Sequence, residues 1–351
     1  MRIVLCYETK PRHLEQIVAA APRAEIVDAG QEGIAREIFT ADIFCGHAKV
    51  PIDWEGVVRQ GRLRWIQSSA AGMDHCLVPP VVASDIVVTS ASGALADQVA
   101  EHTIALVTAW TRSLPVFFRA QQHKEFIRRP TRDLTGSTVG IVGLGGVGRR
   151  LAAVLRGFNT RILATDMFPV DRPEGVAALW GADRLDDLLA AAEILILCVP
   201  LYPARDETGR CALENVALHA AHGINPSTRG MINAATLAKM KAGGLLVNVA
   251  RGPLVVAADL AAALRSGHLA GAVMDVTDPE PLAPESPLWD MPQVIITPHV
   301  GGQAAWRNDK ITDLFCRNLA RWQQGLPLIN YLSDKQLGFP IRGGGYPLWV
   351  E

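Results

Sequence analysis

The sequence predicts an α/β protein with two doubly wound parallel-sheet domains, the second of which is inserted into the first. Short β-like runs alternate with helical ones from the first residues, and a second alternation starts after the polar, proline-containing stretch 128–133. One long apolar helix, at 94–112, lies between the two alternations. Strands that alternate with helices favour a parallel sheet covered on both faces. The length of 351 residues fits two domains of ~150 residues each.

The first alternation supplies strands at 2–7, 24–28, 42–46, 64–67 and 86–89, with helices at 11–21, 32–39 and 54–60. The second supplies strands at 138–142, 161–165, 194–199, 245–249, 271–276 and 294–297. Its helices at 149–156, 234–242 and 257–266 each stop at a glycine, and Asn233 is a good N-cap for the second of them. A final helix is expected at 303–324. We therefore expect a discontinuous domain of residues 1–104 and 305–351 around an inserted domain of residues 105–304.

The composition excludes several classes of protein. Lys+Arg 34 against Asp+Glu 35 gives a net charge of -1, whereas nucleic-acid and membrane-surface binders need a positive field. No apolar run approaches the ~20 residues that cross a bilayer, and the first strand is too short an apolar run for a signal peptide. The 6 cysteines show no CxxC spacing and the 9 histidines form no supported metal pair. We expect a cytoplasmic protein without a metal site, bound to neither nucleic acid nor membrane.

A glycine-rich turn follows the first strand of the second alternation. Gly143, Gly145 and Gly148 form a GxGxxG pattern that opens the next helix, and Asp166 ends the following strand. The first glycine permits a tight turn, the second lets the backbone approach a pyrophosphate, and the third allows close helix–strand packing. The helix N-terminus then offers N–H groups and a positive dipole to the phosphates. The pattern predicts a Rossmann dinucleotide site.

Asp166 also indicates which dinucleotide binds. Its carboxylate can accept hydrogen bonds from the adenosine ribose hydroxyls, and it would repel a 2′-phosphate. Met167 and Phe168 offer no cation for that phosphate, and Arg172 is the nearest one. We expect NAD rather than NADP.

Three polar residues follow three strands of the second alternation. Arg251 follows the strand at 245–249, Glu280 follows 271–276, and His299 follows 294–297. The carboxyl ends of parallel strands line the ligand crevice of an open sheet, so the three side chains are expected at one edge. Together they supply a carboxylate-binding guanidinium, a general acid/base, and an acid that orients it. Beside a nicotinamide, this set suits hydride transfer to a 2-oxo acid.

With these motifs in place, the chain resembles the D-isomer-specific 2-hydroxyacid dehydrogenase family. The resemblance lies in VGIVGLGGVGRR (139–150), RGMIN (229–233), VNVARGPL (247–254), DVTDPEPL (275–282) and TPHVGG (297–302), in the family's order. AGMD (71–74) and VAEHT (99–103) are similar to the family's substrate loop and interdomain helix. The resemblance implies an NAD-dependent oxidoreductase acting on a small 2-oxo or D-2-hydroxy acid. It also implies a homodimer formed through the inserted cofactor domain.

The resemblance further implies a role for each site residue. Arg251 would bind the substrate carboxylate and keto oxygen, His299 would protonate that oxygen, and Glu280 would hold the imidazole. The substrate loop, Ser69, Ala70, Ala71 and Gly72, would present backbone N–H groups to the carboxylate, although the family usually has Gly where Ala70 stands. The implied cofactor contacts are Gly143, Gly145, Gly146, Val147, Gly148, Asp166, Val199, Pro200, Val249, Ala250, Arg251, Asp275 and His299.

Two alternatives stay open. An NAD(H)-binding regulator, like the corepressors that share this fold, is disfavoured by the near-neutral charge. Among enzymes, glyoxylate or hydroxypyruvate is favoured over D-3-phosphoglycerate, because residues 68–76 supply only His75 as a cation for a phosphate. Formate dehydrogenases of the superfamily carry Gln where Glu280 stands.

The chain departs from the family at residues 202–228, which the family typically replaces with a few residues. A helix is expected there at about 211–221. The segment is interpreted either as a flap near the nicotinamide or as a surface insertion or subunit contact. The tail at 343–349 is given no role.

Overall fold

The computed structural model describes residues 1–73, 75–201, 227–335 and 338–340. The helix predicted at about 211–221, the rest of the 202–226 segment and the 343–349 tail lie outside the described residues. The described chain divides into two compact units. One comprises residues 1–95 with those described from 304 onward, and the other comprises residues 96–201 and 227–303.

The strands are β1 (Arg2–Cys6), β2 (Glu25–Asp28), β3 (Ile43–Gly46), β4 (Trp65–Ser68), β5 (Val87–Thr89), β6 (Thr138–Val142), β7 (Arg161–Asp166), β8 (Val176–Gly181), β9 (Ile194–Leu197), β10 (Gly244–Asn248), β11 (Leu269–Met274) and β12 (Val294–Ile296). The helices are α1 (Pro11–Ala20), α2 (Gly30–Glu37), α3 (Trp54–Gln60), α4 (Pro79–Ala83), α5 (Ala96–Thr111), α6 (Leu114–Gln122), α7 (Gly146–Leu155), α8 (Leu185–Ala191), α9 (Ala234–Lys239), α10 (Ala257–Arg265) and α11 (Arg307–Gln323).

The first unit contains a five-stranded parallel sheet in the order β2-β1-β3-β4-β5. All residues of β3 and β4 are buried, as expected for strands covered on both faces. This is the flavodoxin-like order, whose direction reverses between β1 and β3. Gly46, the last residue of β3, has φ +150°, and a Cβ on it would lie 2.4 Å from the Cys6 carbonyl oxygen. Gly46 leaves no room for a side chain at the end of β3, and His47 is the next residue with one.

The second unit contains a seven-stranded parallel sheet in the order β12-β11-β10-β9-β6-β7-β8. Its direction reverses between β6 and β9, and in open α/β sheets ligands bind outside the carboxyl ends of the strands at such a point. Local signals fix the helices that cover it. Asn233 accepts hydrogen bonds from the backbone N–H groups of Ala235 and Thr236 at the start of α9, and Thr236 Oγ1 accepts one from the Asn233 N–H in return.

The predicted fold class is confirmed: two α/β units, each with a parallel sheet covered by helices. Within the described residues, the strands and helices named from the sequence are present, with ends shifted by a few residues. α4, α6, α8 and β8 were not predicted. No helix in the described part of the chain is long and apolar enough to cross a membrane.

Candidate active site

The turn between β6 and α7 is built from glycines. Gly143 has φ +93°, and a Cβ on it would lie 2.7 Å from Val199 Cγ1. A Cβ on Gly148 would lie 2.1 Å from the Gly143 carbonyl oxygen, so α7 packs against the turn too closely for any side chain. A Cβ on Gly145 would meet no described atom within 4 Å, and no side chain caps α7 there. Open space and uncapped helix N–H groups therefore coincide, which suits a pyrophosphate.

Asp166, the last residue of β7, joins its strand to this turn. Its Oδ2 accepts a hydrogen bond from the Leu144 N–H at 2.6 Å, and its Oδ1 accepts one from the Phe168 N–H at 2.9 Å. Burial raises the pKa of the Asp166 carboxyl, while the two backbone N–H groups and Arg149 act in the opposite direction. The carboxylate lies beside the glycine turn, in the position that the Rossmann pattern gives to a ribose acceptor.

Most other residues expected to contact a cofactor also lie at the carboxyl edge of this sheet. Asn248 Oδ1 accepts a hydrogen bond from the Ala250 N–H at 3.1 Å and so shapes the loop after β10. The expected residues are placed as follows: Gly146 and Val147 in the first turn of α7, Val199 and Pro200 after β9, and Val249 and Ala250 after β10.

Arg251 lies in the loop after β10. The Asn248 side-chain amide donates to the Arg251 carbonyl at 2.9 Å, and Arg251 Nη1 donates to the Ala250 carbonyl at 2.8 Å. A Cβ on Gly252 would lie 1.8 Å from the Thr277 carbonyl oxygen. The loop that carries Arg251 therefore presses against the loop after β11, in which Glu280 lies.

His299 and Glu280 form a close pair. His299 Nδ1 and Glu280 Oε1 are 2.6 Å apart, and the two side chains are 44% and 43% exposed. His299 has φ +55°, a left-handed conformation that is uncommon outside glycine. With Nδ1 engaged by the carboxylate, Nε2 is the ring nitrogen left to exchange a proton with a bound molecule, since it has no hydrogen-bond partner in the described chain.

Asp275, directly after β11, holds the turn on which His299 lies. Its carboxylate is 3% exposed and accepts hydrogen bonds from the N–H groups of Val300 at 3.0 Å and Gly301 at 2.9 Å. Its backbone carbonyl accepts the His299 N–H at 2.7 Å. A Cβ on Gly301 would lie 2.9 Å from Asp275 Oδ2, so the turn wraps the carboxylate closely.

Two further side chains contact the Asp275 carboxylate. Thr297 Oγ1 donates to Asp275 Oδ1 at 2.6 Å, and His102 Nε2, from α5, is 3.2 Å from the same oxygen and 3.0 Å from Thr297 Oγ1. Sequence reasoning named Asp275 as a cofactor contact and did not foresee its bonds to the His299 turn. The partner His102 is 173 residues earlier in the chain, and its place in the VAEHT motif was the available signal.

The substrate loop, Ser69–Gly72, follows β4 in the first unit. The Ser69 N–H donates to the Gly46 carbonyl at 3.1 Å, and the Ala70 N–H donates to Ser68 Oγ at 3.0 Å. Within the described chain, the N–H groups of Ala71 and Gly72 donate to no protein acceptor. Of the four backbone N–H groups in this loop, those of Ala71 and Gly72 are therefore the candidates for binding a carboxylate.

The structure thus places the glycine turn, Asp166, Arg251, Asp275, Glu280 and His299 in the seven-stranded unit, and the substrate loop in the five-stranded unit. Among the described residues, no group of three His, Cys, Asp or Glu side chains could hold a metal ion. The glycine turn fits a dinucleotide, since it has a tight backbone cradle and open space above a helix N-terminus.

This fold and site define a class, the oxidoreductases that use a nicotinamide dinucleotide. The model of the D-isomer specific 2-hydroxyacid dehydrogenase NAD-binding domain matches residues 104–209 and 214–301. The chain belongs to the D-isomer-specific 2-hydroxyacid dehydrogenase family. The family resemblance seen in the sequence and the expected dehydrogenase activity are thereby confirmed, and the regulatory alternative is disfavoured. The cofactor is NAD(H) or NADP(H).

Individual relatives agree with this assignment. The chain is 31% identical to a glyoxylate reductase of Thermofilum pendens over 297 residues, which cover 82% of this chain and 80% of the relative. It is 32% identical to a D-3-phosphoglycerate dehydrogenase of Mycobacterium leprae over 275 residues, 77% of this chain but 47% of that longer protein. A D-isomer specific 2-hydroxyacid dehydrogenase from Xanthobacter autotrophicus Py2, solved in complex with NADPH and MES, matches with a TM-score of 0.77 and 28% identity. That match covers 96% of this chain and 99% of the solved one.

Proposed function

We propose that this protein transfers a hydride between NAD(H) and a small D-2-hydroxy acid or its 2-oxo acid, with Arg251, Glu280 and His299 as the catalytic residues. The observation that carries this proposal is the His299–Glu280 pair, 2.6 Å apart, in the unit that also holds the glycine turn and Arg251. An imidazole paired with a carboxylate through Nδ1 is suited to general acid–base work at Nε2.

Each group has a separate task in the proposed reaction. A dinucleotide held by the glycine turn and Asp166 would supply the hydride in reduction and accept it in oxidation. The Arg251 guanidinium binds the substrate carboxylate and draws electron density toward the C2 oxygen. His299 Nε2 gives a proton to that oxygen during reduction and takes it back during oxidation. Glu280 holds the ring in one orientation and stabilises its protonated form. The Ala71 and Gly72 N–H groups donate to the substrate carboxylate.

A panel of 2-oxo acids tests this function. Purified protein is mixed with NADH or NADPH and with glyoxylate, pyruvate, hydroxypyruvate, oxaloacetate or 3-phosphohydroxypyruvate, and the loss of reduced-cofactor absorbance is followed. Turnover of at least one acid, with the D-2-hydroxy acid as product, supports the proposal. Cofactor binding without turnover of any acid would overturn it and restore the regulatory alternative.

We propose NAD(H) as the preferred cofactor, and we expect Asp166→Ser to weaken that preference. The substitution removes a negative charge beside the glycine turn, so the repulsion of a 2′-phosphate is lost together with the acceptor for the ribose hydroxyls. We expect KM for NADH to rise by about 10-fold, as for one lost charged hydrogen bond of ~1.4 kcal/mol. The difference between the KM values for NADH and NADPH should become smaller. Steady-state kinetics with both cofactors measure this. A wild-type enzyme that already uses NADPH as well as NADH would contradict this interpretation of Asp166.

We further propose residues 1–104 and 305–351 as the substrate domain and 105–304 as the cofactor domain.

A cytoplasmic location is proposed as well. It is supported by the free thiols, since Cys6, Cys45, Cys76 and Cys316 are buried and, like Cys198, form no disulfide.

We propose a homodimer formed through the cofactor domain. The segment of α6 and the residues after it exposes large apolar side chains: Phe126 is 92% exposed and Phe118 57%, with Leu114 and Ile127 also exposed. Neighbouring exposed aromatic side chains mark protein interfaces.

We expect the double variant Phe118→Ser, Phe126→Ser to raise the dimer dissociation constant at least about 10-fold. Light scattering coupled to size exclusion measures the mass, and Val170→Ser, another exposed apolar residue of this unit, is the control. A monomeric wild type would contradict the proposal.

A further inference from the structure

The Arg307 guanidinium is bonded to the substrate loop, Ser69–Gly72. Arg307 is the first residue of α11, and its Nη2 donates to the Ser69 carbonyl at 3.1 Å across 238 residues of sequence. Its Nη1 is 3.4 Å from Asn308 Oδ1, a long contact with a neutral group. A cation from the far end of the chain therefore lies at the loop that we propose to bind the substrate.

Among the residues that the structure describes, this cation has no carboxylate partner. In the described part of the chain, no Asp or Glu oxygen lies within 4.0 Å of the Arg307 guanidinium, although the side chain is partly buried. Arg2 and Arg12 in the same unit differ, because Glu37 and Asp309 pair with them and raise their pKa values. Burial alone lowers the pKa of Arg307. A partly desolvated, unpaired charge is unfavourable, and binding an anion would relieve that cost.

Ser68, directly before this loop, has a second basic neighbour. Ser68 Oγ is 3.3 Å from His75 Nε2, and the His75 ring stacks on His47, with centroids 3.8 Å apart and planes inclined by 15°. His47 follows β3 and His75 follows the loop after β4, so both lie at the carboxyl edge of the five-stranded sheet. A guanidinium therefore contacts Ser69, and one of two stacked imidazole rings contacts the preceding residue, Ser68.

We propose that Arg307 binds a second anionic group on the substrate, a distal carboxylate or phosphate, so that the protein selects 2-oxo acids with two negative groups. The inference rests on the proposed function. In this proposal Arg307 takes the anionic group that is remote from the reacting carbon. A guanidinium offers a planar fork of donors that matches either a carboxylate or a phosphate. The sequence favoured smaller acids because residues 68–76 contain only His75 as a cation; α11 supplies the missing one.

The test compares kcat/KM for acids with one and with two negative groups. Glyoxylate and hydroxypyruvate have one, oxaloacetate and 2-oxoglutarate have a second carboxylate, and 3-phosphohydroxypyruvate has a phosphate. We expect the wild type to prefer one of the latter two classes over glyoxylate by at least about 10-fold, and Arg307→Gln to lower kcat/KM for that class by about 10²-fold. Glyoxylate turnover should change less than about threefold, because its one carboxylate does not use Arg307. Arg307→Lys should recover part of the loss, since it keeps the charge but not the fork.

Arg62→Gln is the matched control, because Arg62 is an exposed arginine of the same unit that pairs with Asp42. It should leave the whole panel unchanged. If Arg307→Gln lowered kcat/KM equally for all acids, the proposal would be overturned. Arg307 would then only position the substrate loop. A wild type that turns over glyoxylate as well as any doubly charged acid would also overturn it, even if Arg307→Gln fails to fold. An enzyme inactive on every acid would refute the proposed function itself, a distinct result.

Discussion

We expect His299→Ala to lower kcat for reduction of a 2-oxo acid by about 10²–10⁴-fold, the usual contribution of a general acid. The alkoxide that develops at C2 must receive a proton, and the imidazole held by Glu280 at 2.6 Å is the group placed to give it. Cofactor affinity, measured by NADH fluorescence, should change far less than kcat. A variant that keeps more than about a tenth of the wild-type turnover would contradict the assignment of His299.

Glu280→Gln measures the contribution of Glu280 separately from that of His299. The amide keeps the size of the side chain and can still contact Nδ1, but it no longer stabilises an imidazolium ring. We therefore expect a smaller loss than for His299→Ala, about 10–10²-fold in kcat. Glu285→Gln is the matched control, since Glu285 is an exposed acid in the same loop. Equal rates in Glu280→Gln and the wild type would show that the carboxylate charge is not used.

The second large effect is expected at Arg251. Arg251→Gln removes the cation that we propose for the substrate carboxylate, and a lost charged pair of this kind costs ~3–4 kcal/mol, or about 10²–10³-fold in kcat/KM. Arg251→Lys should recover only part of this, because the ammonium group lacks the planar fork. Most of the loss should appear in KM, with every acid of the panel affected.

Arg265→Gln is the control for this substitution, because Arg265 is an exposed arginine at the end of α10 in the same unit. It should leave kcat and KM unchanged. Full activity of Arg251→Lys on all acids would indicate that the charge alone matters and that no bidentate contact forms.

The parts of the fold that the sequence predicts well are those with local signals. Buried strands such as β6 and β9 are visible as short apolar runs, and Gly267 directly follows the C-cap of α10. The glycine turn was also predictable, because its spacing, preceding strand and following helix all lie within residues 138–155. Arg251, Glu280 and His299 required one more step, the rule that polar residues after parallel strands gather at one edge.

What was missed lacks such local signals. β8 is a partly exposed edge strand that follows a proline- and glycine-containing stretch, so it shows neither a buried run nor clean alternation. α6 has Pro115 as its second residue and exposes the apolar side chains of Leu114 and Phe118, which obscures the helical period. The bond from Arg307 to Ser69 and the contact of His102 with Asp275 depend on tertiary structure that brings distant segments together. Periodicity and spacing carry no information on such pairs.

The allocation of site residues to two units has a practical consequence for altering this enzyme. The glycine turn and the proposed catalytic residues lie within residues 96–303, whereas the substrate loop, His47, His75 and Arg307 lie outside that stretch. The proposed roles therefore assign the reaction chemistry and the choice of acid to different parts of the chain. A mutant library confined to the loops after β3 and β4 and to the start of α11 should yield variants that accept new acids while the machinery for hydride and proton transfer stays untouched.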